Sequence, residues 1–418
     1  MVPQEPLNES RMGKDKNFHQ NSIMVDEKNC AIFLSVLSDF LAGNSTNTVN
    51  GADWKQIARL SRIHQVAGIV FHQSKAFMPQ DIRTTFEKEF YSTLYCYKNR
   101  ERITAEITKE FIDHNISFIE VKGIEVSKYY PVPSLRTMGD TDIVVRIQDK
   151  EKAINILSNM GFVYDYEFTG KERVYSRNKL NIELHHSLIY DEVINIPEQE
   201  SFFSRCWDYV DDGKLDNSFH FLYLILHLRK HMLNSGAGFR QFMDIATVAK
   251  NDSELNWKWI EEKLRETKLL RFAQTCYGLI DEWFSISVPA DYPKLDQDFI
   301  LHATNKVMNN GIFGFNDKSN RRNTITNQMR KFNGPRWLFR VLTLCKRLFP
   351  GYSFLRVSEE YRFLDGRPWL LPAAWCWRFY LMLSGRTTTV GELLGQIMTS
   401  NSVVDLREEE LKRWGLIE

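Results

Sequence analysis

Residues 118–146 read FIEVKGIEVSKYYPVPSLRTMGDTDIVVR, and the order of signals in this stretch decides the fold. Phe118 to Val121 is a short apolar run that Lys122-Gly123 ends, and a helix-like segment follows until Pro131 stops it. The reading is strand, tight turn, helix. A helix beginning just after a glycine offers free backbone N–H groups and the positive end of its dipole, which suits a phosphate with Lys122 beside it. From Thr141 to Val145 the chain is strand-like again. Asp140 and Asp142 stand two residues apart, so both carboxylates leave one face, about 6 to 7 Å apart along the backbone. Two anions held side by side repel unless a cation sits between them. Hard divalent ions such as magnesium accept such oxygens and complete their shell with water and substrate phosphates.

Downstream, residues 148–160 read as an amphipathic helix ending at Gly161, and 162–166 as a strand. In KLNIELHHSL, residues 179–188, Leu180, Ile182 and Leu184 alternate with Asn181, Glu183 and His185. One face is apolar and the other polar, as in a half-buried strand. Strands alternating with helices predict a small α/β unit. From Phe219 the pattern becomes helical. His227 and His231 are four apart and share a helix face, the arrangement of a zinc pair in HExxH enzymes, but Leu228-Arg229-Lys230 between them lacks the glutamate. A packed or phosphate-facing helix is the simpler reading. In the next helix, 239–249, Arg240 and Asp244 are spaced for an i,i+4 ion pair.

Upstream, Ile32, Phe33, Val36, Leu37, Phe40 and Leu41 recur at helical spacing, and a polar loop from Gly43 to Gly51 closes that helix. Asp53 is placed to cap the next helix. Residues 86–111 predict a long helix beside the sheet, with Lys98, Arg100 and Arg102 as a solvated face. Towards the C-terminus, 311–331 is rich in Asn, Arg, Lys and Thr and reads as a mobile loop. Residues 336–349, RWLFRVLTLCKRLF, interleave four cations with bulky apolar side chains. Such a helix lies on an anionic membrane surface, carries nucleic acid, or packs an apolar stripe with Lys and Arg stems along its rim.

The chain has 418 residues, 43% hydrophobic and 13% aromatic, enough for two or three packed units. Its net charge of +1 gives no global reason to expect nucleic acid. The six cysteines are scattered without a CxxC pair, which argues against a zinc knuckle or a disulfide framework and for reduced thiols in a cytoplasm. The first residues, through about Ser22, are polar and lack a signal-peptide core. No run reaches the roughly 18 apolar residues of a membrane span; residues 369–383 come closest but contain Pro372 and Arg378.

Lys122-Gly123, Tyr130-Pro131, Leu135-Arg136 and Met138-Gly139-Asp140-Thr141-Asp142-Ile143 together resemble the nucleotidyltransferase superfamily with a DNA polymerase beta-like core, and within it the uncharacterised bacterial nucleotidyltransferase family. WKQIARLSRIHQVAGIVF at 54–71, HLRKH at 227–231 and FRQFMDIA at 239–246 resemble the same family's helical parts. The resemblance implies an α+β fold, a small mixed-sheet core embedded in a mainly helical protein. Its parts would be a tail (1–26), an N-terminal helical region (27–112), the catalytic core (113–196), a helical domain (197–310) and a C-terminal helical region (311–418). It further implies transfer of an NMP from an NTP to a hydroxyl acceptor, which would be a small molecule, sugar, protein or tRNA. Asp140, Asp142 and a third carboxylate from an adjacent strand, Glu183, would hold two magnesium ions, with manganese as the substitute. Lys122 and Gly123 would neutralise the triphosphate, Arg136 would assist the leaving pyrophosphate, and Arg240 would face the nucleotide. Many superfamily members carry Gly-Ser where this chain has Lys-Gly, so a serine contact to phosphate is not expected here. The competing reading is a catalytically weak relative that acts as a membrane-surface or envelope-polymer assembly partner through its basic-aromatic C-terminal half. The expected location is the cytoplasm, or the inner membrane face through 336–349. No residue pattern speaks to base preference or oligomeric state.

Overall fold

The structure, a computed structural model, describes residues 26–417 except 48, 169–171, 179, 190–195, 212, 235, 313–319, 357–358 and 385–400. The tail expected at 1–26 therefore lies almost wholly outside the described residues, as do residues 313–319 of the 311–331 segment. The chain is α+β, with a five-stranded mixed sheet in a mainly helical protein. Residues 23–317 with 411–418 form one unit, and 318–410 belong to a second.

The first unit opens with α1 (Glu27–Ala42), which Gly43 ends in the left-handed region at φ 74°, a conformation glycine adopts without strain. Asp53 caps α2 (Trp54–Ile63), its carboxylate accepting from the backbone N–H groups of Lys55 and Gln56. After α3 (Ala67–Ser74) comes α4 (Gln80–Asp113), a 34-residue helix whose buried stripe includes Tyr97, Arg100, Ile103, Ile107 and Phe111. Arg100 corrects the expectation of a solvated face: Lys98 and Arg102 are exposed and paired with Glu101 and Glu106, but Arg100 is only 6% exposed. It lies one turn before Ile103 and two before Ile107 on the same stripe, so it turns inward with them.

The sheet contains β1 (Phe118–Val121), β2 (Asp140–Val145), β3 (Val163–Phe168), β4 (Glu172–Arg177) and β5 (Leu180–His185), in the order β1-β2-β5-β4-β3. The one-and-a-half-turn helix α5 (Gly123–Ser127) lies between β1 and β2, and α6 (Lys150–Asn159) between β2 and β3. β2 and β5 run parallel, with Asp142 opposite Glu183 and Asp140 opposite Asn181; the other pairs are antiparallel. Alternation sorts the two faces. Ile143, Val145, Ile182 and Leu184 pack with Ile107, Phe111 and Leu157 of α4 and α6. The opposite face carries Asp140, Asp142, Glu183 and His185.

Six helices follow: α7 (Pro197–Phe203), α8 (Asn217–Asn234), α9 (Phe239–Asn251), α10 (Trp257–Glu266), α11 (Leu270–Phe284) and α12 (Gln297–Asn310). They share one continuous core with α1 to α3 and with Ile119, Val121 and Val144 of the sheet. Burying apolar area at about 25 cal/mol per Å², this core fixes α8 and α9 against the polar face of the sheet.

In the second unit, α13 (Asn320–Lys331) occupies the latter part of the stretch expected to be a loop. Ile325 and Met329, four apart, both pack against Phe339 of α14 (Arg336–Leu348), and that buried pair offsets the polar composition. No described helix is long and apolar enough to cross a membrane.

Candidate functional site

The polar face of the sheet and the helices α8 and α9 enclose a cavity. Its sheet side is lined by Asp140, Asp142, Glu172 and Glu183; its turn side by Lys122, Gly123, Arg136 and Met138; its helical side by His227, Lys230, His231 and Arg240 among others. The three carboxylates expected to act together therefore border one space. They are not equivalent within it. Asp142 is 2% exposed, and its Oδ1 meets Lys122 Nζ at 2.5 Å and His185 Nε2 at 3.1 Å. His185 Nε2 also lies 3.5 Å from Glu183 Oε2, and its Nδ1 3.7 Å from Glu172 Oε2. Asp140 lines the cavity from the mouth of β2 and is half-buried.

The charges follow from these contacts. Burial pushes the Asp142 carboxyl up, but Lys122 and His185 outweigh it and hold the group well below the usual carboxylate range. Burial likewise opposes the Lys122 ammonium, and Asp142 more than offsets that, so Lys122 stays charged. Burial, then the Asp140 charge, pushes Glu183 up to about 8. His185 is raised to about 9: its bonds to Asp142 and Glu183 overcome the desolvation that would lower it. One buried carboxylate thus faces two cations while its neighbour across the strand pair keeps a proton at neutral pH, the behaviour of coupled buried groups.

The turn that delivers Lys122 is constrained. Lys122 has φ 59° and ψ −129°, a region that costs a side-chain-bearing residue of order 1–3 kcal/mol. Its backbone N–H donates to His220 Nε2 at 2.9 Å. Burial lowers His220 to about 4, so its imidazole is neutral and accepts. Gly123 follows at φ 28°. Beneath the acidic strand, Arg100 donates to Thr141 Oγ1 at 2.7 Å and to the carbonyls of Gly139 and Asn181 at 3.2 and 3.4 Å, fixing the start of β2 against β5.

Arg136 and Arg240 both reach the cavity, but neither presents a whole guanidinium to it. Arg136 Nε and Nη2 bind Asp244 Oδ1 and Oδ2 at 2.7 and 2.8 Å, and Arg240 Nη1 donates to the Thr137 carbonyl. The i,i+4 spacing of Arg240 and Asp244 therefore does not become the ion pair it suggests, because Arg136 takes the carboxylate bidentately. His227 and His231 bond each other, Nε2 to Nε2 at 2.9 Å. Among the described residues the group of three close metal-ligand side chains is Asp142, Glu183 and His185, with ligand atoms within 4.8 Å of one another; the histidine pair of α8 has no third partner of that kind.

Sequence reasoning gave no role to His185, His220 or Glu172 and placed Arg100 on a solvated face. His185 had a signal, two residues after Glu183 on the polar face of the same strand. His220 had none, since its role depends on a contact with a distant segment, and Glu172 acquires its role only through the register of β4 and β5, which sets it opposite His185.

Every cavity residue named above lies in one continuous stretch of sequence. No curated protein and no solved structure matches the chain. A family profile described as an uncharacterised nucleotidyltransferase matches residues 50–285, from just before α2 to just past α11, and the chain belongs to that uncharacterised nucleotidyltransferase family.

Proposed function

We propose that the cavity transfers a nucleoside monophosphate from an NTP to a hydroxyl acceptor, with release of pyrophosphate, on a sheet of the DNA polymerase beta-like kind. Family membership supports nucleotidyl transfer and implies a nucleoside triphosphate substrate. The observation that carries the finer reading is the register of β2 and β5, which sets Asp142 opposite Glu183 at a cavity that Lys122 also lines. In the reaction, a bond from the acceptor oxygen to the α-phosphorus forms as the bond from that phosphorus to the pyrophosphate oxygen breaks. The acceptor's proton passes to Glu183 in the fraction of molecules where that carboxyl, raised to about 8, is ionised. Lys122, Arg136 and Arg240 neutralise the polyphosphate and the charge that gathers on the leaving group.

The donor chemistry fits magnesium. Asp142 and Glu183 supply hard oxygen ligands within reach of each other, Asp140 lines the same space, and such ions bind through a few carboxylates plus substrate phosphates. Bound there, divalent ions would screen the triphosphate and polarise the α-phosphoryl group. Lys122 Nζ on Asp142 Oδ1 holds the acidic site near neutrality without them.

The reading in which the core is only a scaffold is weaker, because buried charges of this density cost stability that a scaffold would not need. Peripheral membrane contact is a separate property supported by the outward side chains Trp337, Val341, Leu342 and Phe349 around α14, which are 63%, 49%, 43% and 47% exposed. Titration calorimetry with each NTP and magnesium tests the main proposal. Binding of at least one NTP that weakens about a hundredfold in Asp142→Asn is expected from loss of a charged ligand; wild type that binds none refutes it. Flotation on anionic vesicles tests the membrane contact, which is refuted if Trp337→Asp floats like wild type.

A further inference from the structure

We infer that Asp244 and Tyr130 are positioning residues that build, from Arg136 and Arg240, a subsite for the tail of the polyphosphate. The inference rests on the proposal that the cavity takes an NTP.

Three observations support it. First, the two guanidiniums lie close to one another at the cavity, and Asp244 bonds only that of Arg136. Asp244 is 7% exposed and Arg136 4%, and burial together with the neighbouring Arg136 works against the charge on Arg240. Asp244 and Asp140 both favour the charge on the two arginines, and with Asp244 bonded to Arg136 alone, a polyphosphate would pair with Arg240. Second, each arginine keeps a buried N–H with no hydrogen-bond partner, Arg136 Nη1 and Arg240 Nε, and both residues line the cavity. A buried donor without a partner costs about 1–3 kcal/mol, and a phosphoryl oxygen satisfies it. Third, the arginines are held in place. Asp244 grips Arg136 bidentately, and Tyr130 donates to Asp244 Oδ1 at 2.7 Å. The loop bearing Tyr130 and Arg136 is stitched to α9 again, where Thr247 Oγ1 and Asn251 Nδ2 each donate to the Tyr129 carbonyl at 2.7 Å. Asp244 thus spends the fork of Arg136 on orientation and leaves Nη1, with its two N–H groups, for the ligand.

A simple charge effect and a positioning effect predict opposite signs. Asp244→Asn removes an anion next to Arg136, so if the arginine acted only as a charge, polyphosphate would bind more tightly. If Asp244 positions it, binding weakens. The experiment is titration of the full chain with inorganic tripolyphosphate, ATP and AMP, each with magnesium, for wild type, Asp244→Asn and Tyr130→Phe, with melting temperatures as the folding control. Expected are a loss of about tenfold for tripolyphosphate and ATP in Asp244→Asn, a loss of about threefold in Tyr130→Phe, and AMP binding unchanged in both. A purely structural role would weaken all three ligands alike. Unchanged or tighter tripolyphosphate binding by a folded Asp244→Asn, or an equal loss for AMP, overturns the inference. Should Asp244→Asn not fold, Tyr130→Phe decides, since it keeps the charge and removes one hydroxyl. Wild type that binds neither ATP nor tripolyphosphate overturns the nucleotide reading itself, and this inference with it.

Discussion

Replacing Asp142 by alanine should do more than stop transfer; it should unsettle the first unit. Asp142 is 2% exposed, with Lys122 Nζ at 2.5 Å and His185 Nε2 at 3.1 Å. The Lys122 side chain is itself only 11% exposed. Removing the carboxylate leaves two buried cations facing each other, and breaking a buried pair from one side costs about 3–5 kcal/mol. At about 2–4 °C per kcal/mol for a unit of this order of size, the midpoint should fall by roughly 6 to 20 °C. Scanning calorimetry of the metal-free full chain reads this, comparing the transition of the 23–317 unit, because two units need not melt together. The control is the double variant Asp142→Ala with Lys122→Met. Deleting the orphaned charge should recover most of the lost midpoint while transfer stays absent. The sign with pH is definite. The folded pKa of Asp142 is depressed, so its stabilisation is complete above the ordinary carboxylate pKa and is lost only as pH falls through the folded value; the deficit of Asp142→Ala should hold from pH 5 to about 6.5, shrink above that as the share carried by His185, raised to about 9, is lost, and narrow again in stronger acid. The reasoning fails if the single variant melts within about 2 °C of wild type, or if the double variant is no more stable than the single.

Three further outcomes follow from other parts of the site. His220→Ala should slow transfer about tenfold by releasing the Lys122 N–H, and stopped assays at saturating NTP would read it. His220 is lowered to about 4, so wild type should lose about 1.4 kcal/mol per pH unit from this group as pH falls from 6.5 towards 4, and denaturation curves should show the variant without that loss. Glu183, raised to about 8, keeps its proton at neutral pH, so magnesium binding should release one proton and tighten about tenfold per pH unit up to about pH 8; calorimetry in buffers of different ionisation enthalpy measures it, and Glu183→Gln should abolish it. Arg100→Met should destabilise by about 2–4 kcal/mol and speed amide exchange at residues 138–142, where protection equal to wild type would refute the role assigned to Arg100.

Much of the site was legible because its signals are local. The strand, turn and acidic pair of 118–146, the Asp53 cap and the alternation of 180–185 each follow from neighbours a few residues apart, where periodicity and turn chemistry act. Arg100 was misread for the same reason: a charge on a helix reads as solvated unless one knows what lies beneath it. The α13 helix was misread as a loop because its composition is polar, and only Ile325 and Met329 reveal a packed face.

By itself the sequence determined that two carboxylates share a face beside Lys122-Gly123, that Glu183 lies on the polar side of a later strand, and that helices surround a small sheet. Only the tertiary structure decided that Asp142 stands opposite Glu183, that His185, 43 residues away, bonds Asp142, that His220, 98 residues away, holds the Lys122 turn, and that Arg136 binds Asp244 across 108 residues rather than offering its fork to a ligand. Alternation tells which side chains share a face, but not what that face meets. That is set by the burial of apolar surface over the whole unit, which brings α8 and α9 onto the sheet and leaves the charges between them to find partners.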